Sequence, residues 1–136
     1  MWKLVSVLFM TAIRMELCIT SVYWAILWPI EKKVDDQSYL FYKTSVVHML
    51  PLIYLTTDFI LNRITIEWSL LWLQWLIDVL YTFCNIHSVR KTGNVVYPGL
   101  DWACKWSVVA VFCCYLISAG FFWALCSVSE WKLKKF

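Results

Sequence analysis

Glycine and proline are scarce, with three of each in 136 residues. Flexible, low-complexity and collagen-like chains need far more of both, so those classes are excluded. Charge is scarce as well. Asp, Glu, Lys and Arg make up 15% of the chain, whereas a soluble domain carries about 25%. The two histidines are His48 and His87. The six cysteines, Cys18, Cys84, Cys104, Cys113, Cys114 and Cys126, lie mostly in apolar runs. They show no C-x-x-C spacing and no nearby histidine cluster, so neither a zinc site nor a disulfide framework is implied. The net charge of +3 is small and scattered. No basic run falls on a regular face, so nucleic acid is not an expected partner. The residues imply no metal and no cofactor.

What is abundant is apolar surface: 62% of the residues are hydrophobic and 18% aromatic. Four apolar segments follow one another, at about 4–30, 41–61, 66–86 and 103–128. Each reaches the roughly 20 residues that cross a bilayer. Backbone groups in lipid must be satisfied within the segment, so each is expected to be a helix. The fold expected is all-α, a polytopic bundle of four transmembrane helices in one integral membrane domain over residues 1–136.

The breaks are EKKVDDQ (31–37), the tight turn LNRIT (61–65) and HSVRKTGNVVYPGLD (87–101), with WKLKKF (131–136) as a basic tail. Arg14 and Glu16 interrupt the first run early and no small-residue cleavage site follows, so it is expected to be a retained helix rather than a signal peptide. Lysine and arginine divide almost evenly between the two sides, and the positive-inside rule gives no orientation. The compact basic tail favours both termini on the cytoplasmic or matrix side.

The polar residues within the segments are organised. At 100° per residue, Thr44, His48, Pro51, Asp58 and Asn62 share one arc of the second helix. Glu67, Gln74, Asp78, Thr82 and Asn85 share another on the third, with Trp68, Trp72 and Trp75 beside it. Ser107, Ala110, Cys114 and Ser118 form a small-residue stripe on the fourth, of the kind that lets helices approach closely. Lipid-facing charge is costly. The two polar arcs are therefore expected to meet in a buried network of Thr44, His48, Asp58, Asp78 and Gln74. On the first helix Arg14 and Glu16 lie about 200° apart. If that helix has one inward side, one of the two charges must face a further neighbour, so both are expected to be partner-facing.

His48, Pro51 and Asp58 in VVHMLPLIYLTTDFIL resemble the androgen-induced-gene-1/FAR-17a family of multi-pass membrane proteins. SVYWAILWP resembles the aromatic end of a preceding family helix. WLIDVLYTFCNIHSVRKTGNVVYPGLDW resembles the next helix and its G-x-x-x-YP-x-L element, here Gly93, Tyr97, Pro98 and Leu100. The likeness covers nearly all of this chain but only the C-terminal part of a family member, and the rolling-stone proteins have similar hydropathy. The resemblance implies an intramembrane lipid hydrolase using a threonine and a histidine, with His48 in the histidine's place. The resemblance places the family threonine on a helix upstream of the one resembling residues 2–30, and this chain is expected to lack that helix.

A threonine hydroxyl needs a base within hydrogen-bond reach. Thr11, Thr44, Thr56 and Thr57 are the candidates within the helices, and none occupies the family position. No G-x-S-x-G elbow occurs. For His48 a structural, hydrogen-bonded role outweighs a catalytic one. The favoured expectation is a non-catalytic accessory subunit of a larger membrane complex, contacting other membrane subunits and bilayer lipids. Its home would be the mitochondrial inner membrane or the endoplasmic reticulum. The alternative is a threonine/histidine-type hydrolase of fatty-acid esters with His48 as its base.

Overall fold

The computed structural model describes residues 2–31, 38–95, 97 and 100–135. The described chain is all-helical. The first helix is α-helical over α1 (Trp2–Val22), passes through one π-helical turn (Tyr23–Leu27) and resumes as α2 (Trp28–Glu31). It is followed by α3 (Ser38–Leu61), a 3₁₀ turn (Trp68–Leu70) leading into α4 (Leu71–Thr92), and α5 (Lys105–Lys135). The α1 region, the Trp68–Thr92 segment and α5 are each long and apolar enough to cross a membrane. The second expected span is covered by α3, whose described apolar stretch is Val46–Leu61. The protein is an integral membrane helix bundle.

α1 is the central element. It packs against α3 on one side and α5 on the other, while α4 leans on α5. The core of the described residues is built from Met10, Ile13, Phe59, Ile66, Phe122, Leu125 and Cys126. Phe9 sets its ring 6.2 Å from that of Phe59, and the Cys18 thiol lies 3.9 Å from the Cys114 carbonyl oxygen. The small-residue stripe on α5 faces inward, with Ser107 and Ser118 buried. Its small side chains let the α5 backbone approach that of α1. In a variant keeping Cys18 and Cys114 and replacing the other four cysteines by serine, a short thiol-to-thiol cross-linker is expected to join α1 to α5. Mass spectrometry of the digested product reads this out. Only singly modified thiols would contradict the packing.

Several boundaries differ from the sequence expectation, three of them at α4 and the end of α5. α4 starts later, because Glu67 is extended (φ −98°, ψ 141°) rather than helical. It also runs six residues further, through His87, Arg90 and Lys91 to Thr92. No breaker occurs before Gly93, which ends the helix in the left-handed region at φ 71° and donates to the Val89 carbonyl at 2.8 Å. Glycine enters that region without the steric cost other residues meet. Arg90 and Lys91 then sit in the last turn, where the helix dipole favours cations. α5 likewise continues to Lys135, so WKLKK is helix rather than tail. Its 31 residues span about 46 Å at 1.5 Å per residue. That is well over the hydrocarbon thickness of about 30 Å, so its ends reach the headgroup regions.

Pro51 lies inside α3. It has no N–H for the Val47 carbonyl, which would break a helix in water. Membrane helices tolerate such a proline. In the same turn the Thr20 hydroxyl donates at 3.1 Å to the adjacent His48 carbonyl rather than to that of Val47.

Candidate functional site

The described polar groups concentrate in three places. The first joins α1, α4 and α5 at mid-bundle. Arg14 is 1% exposed and Asp78 is 9% exposed. Arg14 Nη1 donates to Asp78 Oδ2 at 3.0 Å, and Nη2 donates to Oδ1 at 2.6 Å. This is the bidentate geometry in which arginine and carboxylate pair best. Around it, Tyr115 Oη donates to the Asp78 carbonyl at 3.1 Å. Thr82 Oγ1 reaches the same carbonyl at 2.9 Å and lies 2.6 Å from Tyr115 Oη. Gln74 is buried one turn before Asp78. Asn85 Oδ1, two turns beyond Asp78, accepts from Trp102 Nε1 at 2.8 Å. The polar arc read on the third helix is therefore the inward face of α4 from Gln74 to Asn85.

The second place is the seam between α1 and α3. The His48 ring stacks on Tyr23, with centroids 4.9 Å apart and planes at 26°. Tyr23 opens the π-helical turn of the first helix, and such turns recur at functional sites. Thr20 has a single hydroxyl proton, and it goes to the His48 backbone carbonyl rather than to the imidazole. Glu16 belongs to this seam. On the helical wheel it lies within about 40° of Phe9, Thr20 and Tyr23, all of which face α3. Glu16 is half-buried, and its Oε2 has no hydrogen-bond partner among the described residues.

The third place is the end of the bundle where α5 finishes. Lys132 is 6% exposed. Its Nζ donates to the Phe59 carbonyl and, at 3.2 Å, to the Ile64 carbonyl. It also stands 4.4 Å above the centroid of the Phe59 ring. Ser129 Oγ accepts from the Ile66 N–H at 2.9 Å, and Glu130 Oε1 accepts from Trp68 Nε1 at 2.7 Å. The final turns of α5 thus hold the connection between α3 and α4 and satisfy carbonyls that the end of α3 leaves without helical donors.

Several site expectations are corrected. Arg14 does not face a partner; it is the most buried charge among the described residues and is paired with Asp78. Glu16 does not face outward either. Because α1 is central, two opposite faces of one helix are both interior, and α3 supplies the second neighbour. Among the described residues, the polar arc of α3 is placed against α1 at His48 rather than against α4. His48 accordingly meets Tyr23 and Thr20 rather than Asp78 or Gln74. Asp58 is exposed and accepts from Asn62 Nδ2 at 3.1 Å. The face of α3 toward α1 carries Phe59, and Asp58 is turned about 100° away from it, near the helix end. The Thr44 side chain, Pro98 and Gly99 lie outside the described residues. Thr11, a candidate nucleophile, donates to the Val7 carbonyl of its own helix at 2.8 Å.

Sequence reasoning missed Lys132, Ser129 and Tyr115. A signal for the first two was present. Ser118, Phe122, Leu125, Ser129 and Lys132 recur at helical spacing, extending the buried face of α5 into the supposed tail. Among the described residues, no cluster of three or more His, Cys, Asp or Glu is placed to hold a metal ion. No protein-family model, no curated protein and no solved structure matches the chain.

Proposed function

We propose that this protein is a non-catalytic accessory subunit of a larger membrane assembly. One observation carries the reading: described polar groups inside the bundle are committed to holding helices. The Thr20 hydroxyl donates to the His48 backbone carbonyl rather than to its imidazole, the Thr11 hydroxyl donates to the Val7 carbonyl of its own helix, the Asp78 carboxylate accepts from Arg14, and one face of the His48 ring is covered by Tyr23. A catalytic base has to face the proton it takes from its nucleophile. The resemblance to a hydrolase family supports the competing reading with His48 as base, and the π-helical turn beside His48 is the feature in its favour.

The subunit reading predicts behaviour in native electrophoresis. Membranes of mitochondria and of the endoplasmic reticulum are solubilised separately in a mild detergent. The protein is expected to migrate with an assembly several times its 16.2 kDa mass and to shift with that assembly when it is dissociated. Migration solely as a monomer or small homo-oligomer in both fractions would sink the proposal.

A further inference from the structure

Four polar atoms in the bundle interior have no hydrogen-bond partner among the described residues and belong to side chains that are almost wholly buried. They are Arg14 Nε, Gln74 Nε2 and Oε1, and Ser118 Oγ. Arg14 and Gln74 are each 1% exposed and Ser118 is 4% exposed. They come from three different helices, and the register places them at one level. α1 and α5 run antiparallel: Cys18 touches the Cys114 carbonyl, and Met10 and Phe122 share the core further along. Arg14 is midway between Cys18 and Met10, and Ser118 is midway between Cys114 and Phe122, so the two face each other. α4 gives the same level. The Asp78 carbonyl accepts from Tyr115, and the Trp68 ring is 6.1 Å from that of Phe122. Gln74 lies between Trp68 and Asp78, again opposite Ser118.

Each unpartnered atom buried in apolar surroundings is costly. Direct pairing is restricted, because Arg14 is fixed by two bonds to Asp78 and its Nε–H cannot swing without losing one of them. The charges on Arg14 and Asp78 cancel, so the site calls for neither an anion nor a cation. Two of its atoms, Arg14 Nε and Gln74 Nε2, need an acceptor. Gln74 Oε1 needs a donor, and Ser118 Oγ can serve as either. A neutral molecule that both donates and accepts answers all four, and the near-complete burial of Arg14, Gln74 and Ser118 favours a small one. We propose that Arg14, Gln74 and Ser118 form an internal binding site for water, sequestered at the middle of the bundle beside the Arg14–Asp78 pair. Buried waters elsewhere make about three such bonds each to groups of this kind.

Proton-detected solid-state NMR of the full chain in deuterated lipid bilayers tests this. Through-space transfer from water protons to the Arg14 Nε–H and Gln74 Nε2–H protons is expected. It should persist in Ser118→Ala, which removes the exchangeable hydroxyl that could relay the signal. It should lose most of its intensity at Arg14 in Gln74→Leu. The site is overturned if neither proton of the unmodified chain receives magnetisation from water while the exposed Asn94 side-chain amide does. It is equally overturned if the transfer vanishes in Ser118→Ala, or if Gln74→Leu leaves it undiminished at Arg14.

Discussion

Arg14→Ala is expected to destabilise the bundle by about 3–5 kcal/mol, the cost of breaking a buried ion pair from one side. The substitution leaves Asp78, 9% exposed, as an uncompensated carboxylate between three helices. Ordinary interhelical hydrogen bonds in membranes average only about 0.6 kcal/mol, so this one contact outweighs several of the others. Asp78→Ala should cost a similar amount by orphaning the guanidinium. The double variant Arg14→Met/Asp78→Leu should behave differently: replacing a buried pair by apolar side chains of like volume is often neutral or stabilising by about 1–4 kcal/mol. Denaturation in mixed micelles, followed by circular dichroism of the unmodified chain, Arg14→Met, Asp78→Leu and their double, gives the coupling energy. Single variants that each lose less than about 1 kcal/mol would show that the pair is solvated rather than buried.

Lys132→Ala is expected to cost about 2–3 kcal/mol, the scale of hydrogen bonds to a charged group. The ammonium satisfies the Phe59 and Ile64 carbonyls and covers the Phe59 ring. Alanine keeps the helix and removes all three contacts. The neighbouring exposed Lys134 provides the control: Lys134→Ala should change stability by less than about 0.5 kcal/mol. Loss of Lys132 should also free residues 62–67, so limited proteolysis after Arg63 is expected to accelerate in Lys132→Ala and not in Lys134→Ala. Equal cleavage rates in the two variants would mean that α5 does not hold this turn.

The helical wheel identified inward faces well where a helix has a single neighbouring side. On α4 periodicity groups Glu67, Gln74, Asp78, Thr82 and Asn85; the structure turns Asp78 toward Arg14 of α1, Thr82 toward Tyr115 of α5 and Asn85 toward Trp102 just before α5, and buries Gln74, while Glu67 is exposed and lies outside the helix. On α1 the same wheel placed Arg14 and Glu16 correctly in angle but not in role. Angle says which face a residue occupies; it does not say how many faces are covered. Only the tertiary arrangement, with α1 between α3 and α5, makes both faces interior. On α3 the arc holding His48 and Asp58 was wide enough for one end to face α1 and the other to leave the interface. At the end of α5, charge was read as a sign of solvent. Lys132 shows the limit of that rule, because a lysine at a helix end can turn its ammonium onto the unsatisfied carbonyls of a neighbouring helix. The buried pair itself was hidden because its members are 64 positions apart, and no local pattern links them.

That separation bears on how the chain is made. Arg14 leaves the ribosome first, and Asp78 follows 64 residues later. At about 5–20 residues per second this interval is roughly 3–13 s. During it the guanidinium lacks the Asp78 carboxylate it pairs with in the folded bundle, and an arginine at the centre of an inserting helix is penalised by about 2.5–3.5 kcal/mol on translocon scales. The Leu, Val, Ile, Phe and Met side chains of the first helix therefore have to carry that charge into the bilayer, or hold it at the translocon, until the third hydrophobic segment arrives. The order of synthesis brings the central helix to the membrane before the helix that supplies its counter-ion.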